Sequence, residues 1–156
     1  MWVSRSPTRL SAAVPIFVVW LVVCSSSFAL EITGTREFSA PQNDGTVTVT
    51  IQVDISTTGD ESPPHGLIVR EYLPADSNVK NANPAAGYYT KETGELAWFF
   101  YGRSGVTDKT ITYTFTPSET GGSVDGHIRY SRETETVTVD IGPSPIPTPK
   151  ATPPPT

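Results

Sequence analysis

Four aromatic residues in succession, Trp98-Phe99-Phe100-Tyr101, follow the turn-like glycine of Gly94-Glu95-Leu96-Ala97, and no other stretch limits the fold so tightly. A run of this kind fits a central strand. Side chains alternate faces along a strand, so Leu96, Trp98 and Phe100 point one way while Ala97, Phe99 and Tyr101 point the other. One set fills a core. The other must be covered by a neighbouring segment or stand as an aromatic surface.

Further runs alternate on the same scale. Val47, Val49, Ile51, Val53 and Ile55 are separated by Thr48, Thr50, Gln52 and Asp54, the pattern of a strand with one dry and one wet side. Ile111, Tyr113 and Phe115 alternate with threonines. Shorter runs follow around Val124, Ile128 and Tyr130, and around Val137, Val139 and Ile141. The stretch 66–73 reads as a strand stopped by Leu73-Pro74, with Arg70 and Glu71 expected in solvent at its far end. Residues 31–38 read as an edge strand with outward charges. Residues 75–87 read as loop with a short strand near Val79. No segment keeps a 3.6-residue period, and seven or eight short strands divided by turns predict an all-β, antiparallel sandwich of immunoglobulin-like type.

The ends are different in kind. Arg5 and Arg9 precede an apolar run from Ala12 to Val23 and the small residues up to Ser27-Phe28-Ala29, the layout of a secretory signal peptide over residues 1–29. The sandwich is then expected over 30–142, and the proline- and threonine-rich stretch 143–156 as a disordered, extended spacer. Export predicts a secreted or cell-surface location, with membrane attachment only through an uncleaved signal anchor or through lipidation at Cys24. Cys24 is the sole cysteine, so the mature domain is held by its core without a disulfide. Removing Arg5 and Arg9 leaves nine basic residues against 16 acidic, about −7, which disfavours a nucleic-acid partner.

Three pieces, Gly66-Leu67-Ile68-Val69-Arg70-Glu71-Tyr72-Leu73-Pro74, Gly94-Glu95-Leu96-Ala97-Trp98 and Ile111-Thr112-Tyr113-Thr114-Phe115-Thr116-Pro117, resemble an immunoglobulin-like domain of unknown function found in exported and surface proteins of bacteria and archaea. The resemblance spans about residues 31–142. It implies a seven-stranded sandwich with a buried tryptophan, roles in adhesion, surface layers or spacing, and no catalytic residue.

Reactive chemistry has little support in the residues themselves. His65 and His127 lack an accompanying serine or cysteine motif and sit at no metal-ligand spacing. Asp44, Asp60, Glu61, Asp76, Asp108 and Asp125 fall in turns or loops. No calcium-loop pattern links them, so local backbone capping is the expected role, with calcium the alternative cofactor. Tyr88, Tyr89, Phe99 and Tyr101 are the candidate ligand contacts, an outer aromatic face on which sugar rings would stack. The competing expectation is that Phe99 and Tyr101 pack beneath the 75–87 loop. The sequence therefore predicts a non-enzymatic exported module for protein interaction, adhesion or spacing, with a carbohydrate-binding module as the alternative. Its partner would be a protein or a cell-surface polysaccharide.

Overall fold

A computed structural model describes residues 29–117 and 122–148. The segment read as a signal peptide lies outside them except for Ala29, as do Cys24 and the last eight residues of the expected spacer. Every regular element described is a strand. In chain order these are β1 (Ala29–Phe38), β2 (Val47–Thr58), β3 (Gly66–Tyr72), β4 (Asn78–Asn83), β5 (Tyr88–Thr90), β6 (Glu95–Tyr101), β7 (Lys109–Thr116), β8 (Ser123–Arg132), β9 (Glu135–Asp140) and β10 (Ser144–Pro145).

The strands form two antiparallel sheets. One runs β1-β2-β7-β4; the other runs β10-β8-β3-β6-β5, with β9 also paired to β8. Ten strands replace the seven or eight expected because three short ones, β4, β5 and β10, carry weak alternation. β4 is the short strand anticipated near Val79 and lies on β7. The chain thus crosses to the first sheet for β4, then returns as the β5–β6 hairpin to pair with the free edge of β3.

The core forms between the inner faces in the parity the alternation predicts. Val47, Val49, Ile51 and Val53 of β2 face inward with Ile111, Tyr113 and Phe115 of β7, against Leu67, Val69, Leu96, Trp98 and Ile128 of the other sheet. Burying a large apolar side chain contributes about 1.5–3 kcal/mol, so these positions dominate stability. Trp98 is fully buried and its Nε1 donates to the Pro84 carbonyl at 2.9 Å. Gly94 makes the β5–β6 turn possible. Its φ is +70°, and a Cβ there would stand 2.0 Å from the Leu73 carbonyl oxygen.

Two expectations fail in an instructive way. Arg36 and Glu71, expected to face water, are completely buried and form a bidentate pair between the sheets, Nε to Oε2 and Nη2 to Oε1 both at 2.8 Å. Each sits at the inward parity of its strand, in line with Ile32 on β1 and with Leu67 and Val69 on β3. Arg36 Nη1 also donates to the carbonyls of Val124 and Gly142 and to Ser144 Oγ, while the Tyr113 hydroxyl donates to Glu71 Oε2. Satisfied donors and acceptors make such burial tolerable. Burial pushes the Glu71 carboxyl up, opposed by Arg36 and by the Tyr113 hydroxyl. Burial and the neighbouring Glu71 hold the Tyr113 hydroxyl well above its ordinary value, which keeps it a donor.

The second departure is at the C-terminal side. Ser144 and Pro145, placed by sequence in the spacer, pair with Val124 and Ser123 of β8, and Ile146 is buried in the core. Proline at a sheet edge loses no ladder bond, so a proline-rich composition does not prevent the pairing.

Candidate functional site

The larger sheet turns one face to the core and one to water. Because registers are fixed, the outward residues fall into rows across the strands. One row runs Tyr88, Ala97, Arg70, His127 and Asp140 from β5 to β9; the next runs Phe99, Ile68, Arg129 and Thr138. Tyr72 and His127 lie beside each other with ring centroids 5.6 Å apart, and Tyr88 and Phe99 with centroids 6.0 Å apart. Aromatic residues on this face are therefore Phe99 and Tyr101 of β6, Tyr88 of β5 and Tyr72 of β3.

The four candidate contacts divide. Tyr88, Phe99 and Tyr101 are on this outer face. Tyr89 is opposite Leu96, packs against the core, and donates its hydroxyl to the Ser77 carbonyl, so it is not part of the outer strip. Strand parity makes this split inevitable for two consecutive tyrosines.

The cover expected over Phe99 and Tyr101 goes elsewhere. The 75–87 segment meets the inward rings, through Pro84 on Trp98 and Ser77 on Tyr89. Phe99 is only partly shielded, resting against Gly87, where a Cβ would stand 2.4 Å from the ring, and it remains 39% exposed. Tyr101 is 79% exposed. Its ring leans on Gly66, whose absent Cβ would lie 3.5 Å from the ring carbons.

Charged groups frame the aromatic strip. Glu95 Oε1 accepts the Tyr88 hydroxyl and lies 3.5 Å from Arg70 Nη1. The hydrogen bond to Glu95, with burial second, raises the Tyr88 phenol above its usual value. Arg70 Nε is buried without a hydrogen-bond partner. Burial, with Arg70 and Arg129 nearby, lowers the His127 imidazole. Over β3 and its neighbours, a groove of about 590 Å³ is lined by Gly66, Ile68, Tyr101, Arg129, Ser131 and Thr136, and also by His65 and Glu133.

The other candidates hold backbone in place. Asp44 Oδ1 accepts from Thr46 N, Asp108 Oδ1 from Ile55 N and Asp125 Oδ1 from Gly126 N. The Thr46 hydrogen bonds hold the Asp44 carboxyl below its ordinary value. Glu61 pairs with Arg132 at 3.2 Å. Among the described residues no group of three or more His, Cys, Asp or Glu is placed to hold a metal ion. His65 Nδ1 lies 3.1 Å from the Gly102 carbonyl.

Sequence reasoning missed Ile68, Tyr72 and Arg129 as members of this face. All three occupy the outward parity of their strands, but their joining Phe99 and Tyr101 on one face depends on β3 lying between β6 and β8.

These features define an all-β two-sheet protein with one open aromatic face. No protein-family model and no curated protein matches the sequence. Among solved structures, the Fcho1 Mu homology domain of Danio rerio with bound Eps15 peptide is similar at 13% identity and a TM-score of 0.45. The match covers 69% of this chain and 42% of that one, so the chain spans less than half the neighbour's length.

Proposed function

We propose that the chain is a non-enzymatic, exported or cell-surface module of immunoglobulin-like type acting in protein interaction, adhesion or spacing, and that it makes contact through the outer face of its larger sheet. The strand order supports the immunoglobulin-like assignment. Taking β1, β2, β3, β4, β7, β8 and β9 as A to G gives A-B-E-D on one sheet and C-F-G on the other, with the β5–β6 hairpin added beside C. The observation that carries the functional reading is the uncovered strip, with Tyr101 79% exposed beside the 39% exposed Phe99 on β6. Large aromatic groups held on strands supply contact area at little cost in side-chain entropy.

The test is retention of cell-envelope material by the immobilised full chain. A Phe99→Ser/Tyr101→Ala variant should lose retention, while Gln52→Ala on the outer face of the other sheet should not. Equal retention by all three would remove the face from the reading, and no retention by any would leave spacing alone.

A second reading, carbohydrate binding, is favoured by one feature. The exposed Tyr101 ring rests on Gly66 and borders a groove that also contains hydroxyl groups.

A further inference from the structure

We infer that the groove beside Tyr101 binds a carboxylated polysaccharide, with a sugar ring stacked on Tyr101 and its carboxylate held by Arg129. The inference rests on the outer face being the contact surface, and it deepens that reading by naming the ligand's chemistry.

Shape comes first. At about 590 Å³ the groove is within the usual 300–1,000 Å³ range of small-ligand sites, and it lies on a sheet face, where a polymer can pass without threading an end. The Tyr101 ring forms one wall. Its Cδ1–Cε1 edge lies over Gly66 and the side chain is 79% exposed, so the ring stands as an open platform beside the groove. The platform suits the apolar face of a sugar, and the Ser131 and Thr136 hydroxyls suit its polar edge.

Charge then selects among sugars. Arg36, Arg70 and Arg132 each pair with a glutamate, whereas Arg129, which faces the groove, has no carboxylate within ion-pair distance among the described residues. Exposed Arg103, away from the groove, has none either. Glu133 also lines the groove but makes no ion pair with Arg129, which is therefore, among the described residues, a cation without a partner beside an aromatic platform and complementary to a single carboxylate. A guanidinium fork binds a carboxylate in two parallel hydrogen bonds.

The alternative occupant, an extended peptide, is disfavoured by strand position. Gly66 and Ile68 belong to β3, which is paired with β6 on one side and β8 on the other. Its backbone groups are already in ladders, so β3, the floor of the groove, offers no edge for strand addition.

The experiment is titration of the full chain with polygalacturonate, alginate and hyaluronan, and with methyl-esterified polygalacturonate, in which the carboxylate is blocked. At least one acidic polymer should bind. Tyr101→Ala should weaken that binding tenfold or more, Tyr101→Phe should retain it, and Arg129→Gln should weaken it toward the level of the esterified polymer. Added salt should also weaken the acidic polymer's binding. Failure of all three acidic polymers to bind overturns the inference. So does equal binding of the acidic and esterified forms with Arg129→Gln unchanged, which would indicate a neutral saccharide. If peptides selected from a displayed library bind and lose binding in Tyr101→Ala while the polymers do not, the saccharide is wrong but the face remains an interaction surface.

Discussion

Removing either member of the buried Arg36–Glu71 pair should be costly, but the two removals should differ in how they respond to pH. Arg36 makes five hydrogen bonds: two to Glu71, and one each to the Val124 carbonyl, the Gly142 carbonyl and Ser144. Both side chains are fully shielded. Breaking such a pair by deleting one partner costs about 3–5 kcal/mol because a charge is left without compensation. In Glu71→Leu the orphan is a guanidinium, which does not deprotonate in the accessible pH range, so the pH dependence of the loss comes only from the wild-type carboxyl. Because its folded pKa is raised, it stabilises the wild type more at pH 5 than at pH 8, and the loss should be larger at pH 5. In Arg36→Met the orphan is a carboxyl that burial already pushes up. Without Arg36 its folded pKa rises further above the unfolded value of about 4.3. The neutral form then stabilises the fold at low pH, and that contribution disappears as pH rises through the folded pKa. The deficit relative to the wild type should therefore be smaller at pH 5 than at pH 8. Urea unfolding followed by circular dichroism at both pH values measures these differences, and Arg36→Met/Glu71→Leu completes the cycle, with a coupling of about 2 kcal/mol or more expected. A Glu71→Leu cost below about 1 kcal/mol, or an Arg36→Met deficit that does not change with pH, would refute the reasoning.

Gly126→Ala should destabilise by about 1–3 kcal/mol through overpacking, since the new Cβ would stand 2.3 Å from Glu71 Oε1 and 2.6 Å from Arg36 Nη2. A thermal melt unchanged from the wild type would contradict this. At His127, burial and two arginines lower the folded pKa below the unfolded value of about 6.5. Its neutral form contributes stability above pH 6.5 that is lost as pH falls through the folded pKa. His127→Gln should thus lose less stability than the wild type between pH 7 and pH 5 by urea midpoint, and parallel losses would show that the imidazole is not involved.

Much of the fold is legible because alternation is a direct record of which face a residue occupies. The β2 run and the parity of Leu96, Trp98 and Phe100 translate without adjustment into inward side chains. Glu71 and Arg36 are misread for a specific reason: their charge suggests solvent while their parity says core, and only a complementary partner on the opposite sheet resolves the conflict. That partner is more than thirty residues away in sequence. Two inward-parity charges of opposite sign on separate strands were the available clue. For the candidate site, sequence placed Phe99 and Tyr101 on the same outward face, yet its destination for the 75–87 segment could not follow from composition. Which ring a loop covers depends on carbonyls such as those of Ser77 and Pro84 finding donors across the fold. The neighbours Ile68 and Arg129 depend on β3 lying between β6 and β8, a pairing that alternation within one strand does not encode.

The Arg36 contacts to Gly142 and Ser144 also have a mechanical meaning. Tension applied beyond residue 148 would be delivered first to β10, whose two residues alone would peel from β8 like a zip. The guanidinium sits behind that zip and is itself a side chain of β1, the strand at the opposite end of the chain order. Extraction must therefore break two hydrogen bonds to a buried charge and expose the buried Ile146 together. Load entering at one terminus is shared with strands of both sheets before any long ladder begins to open.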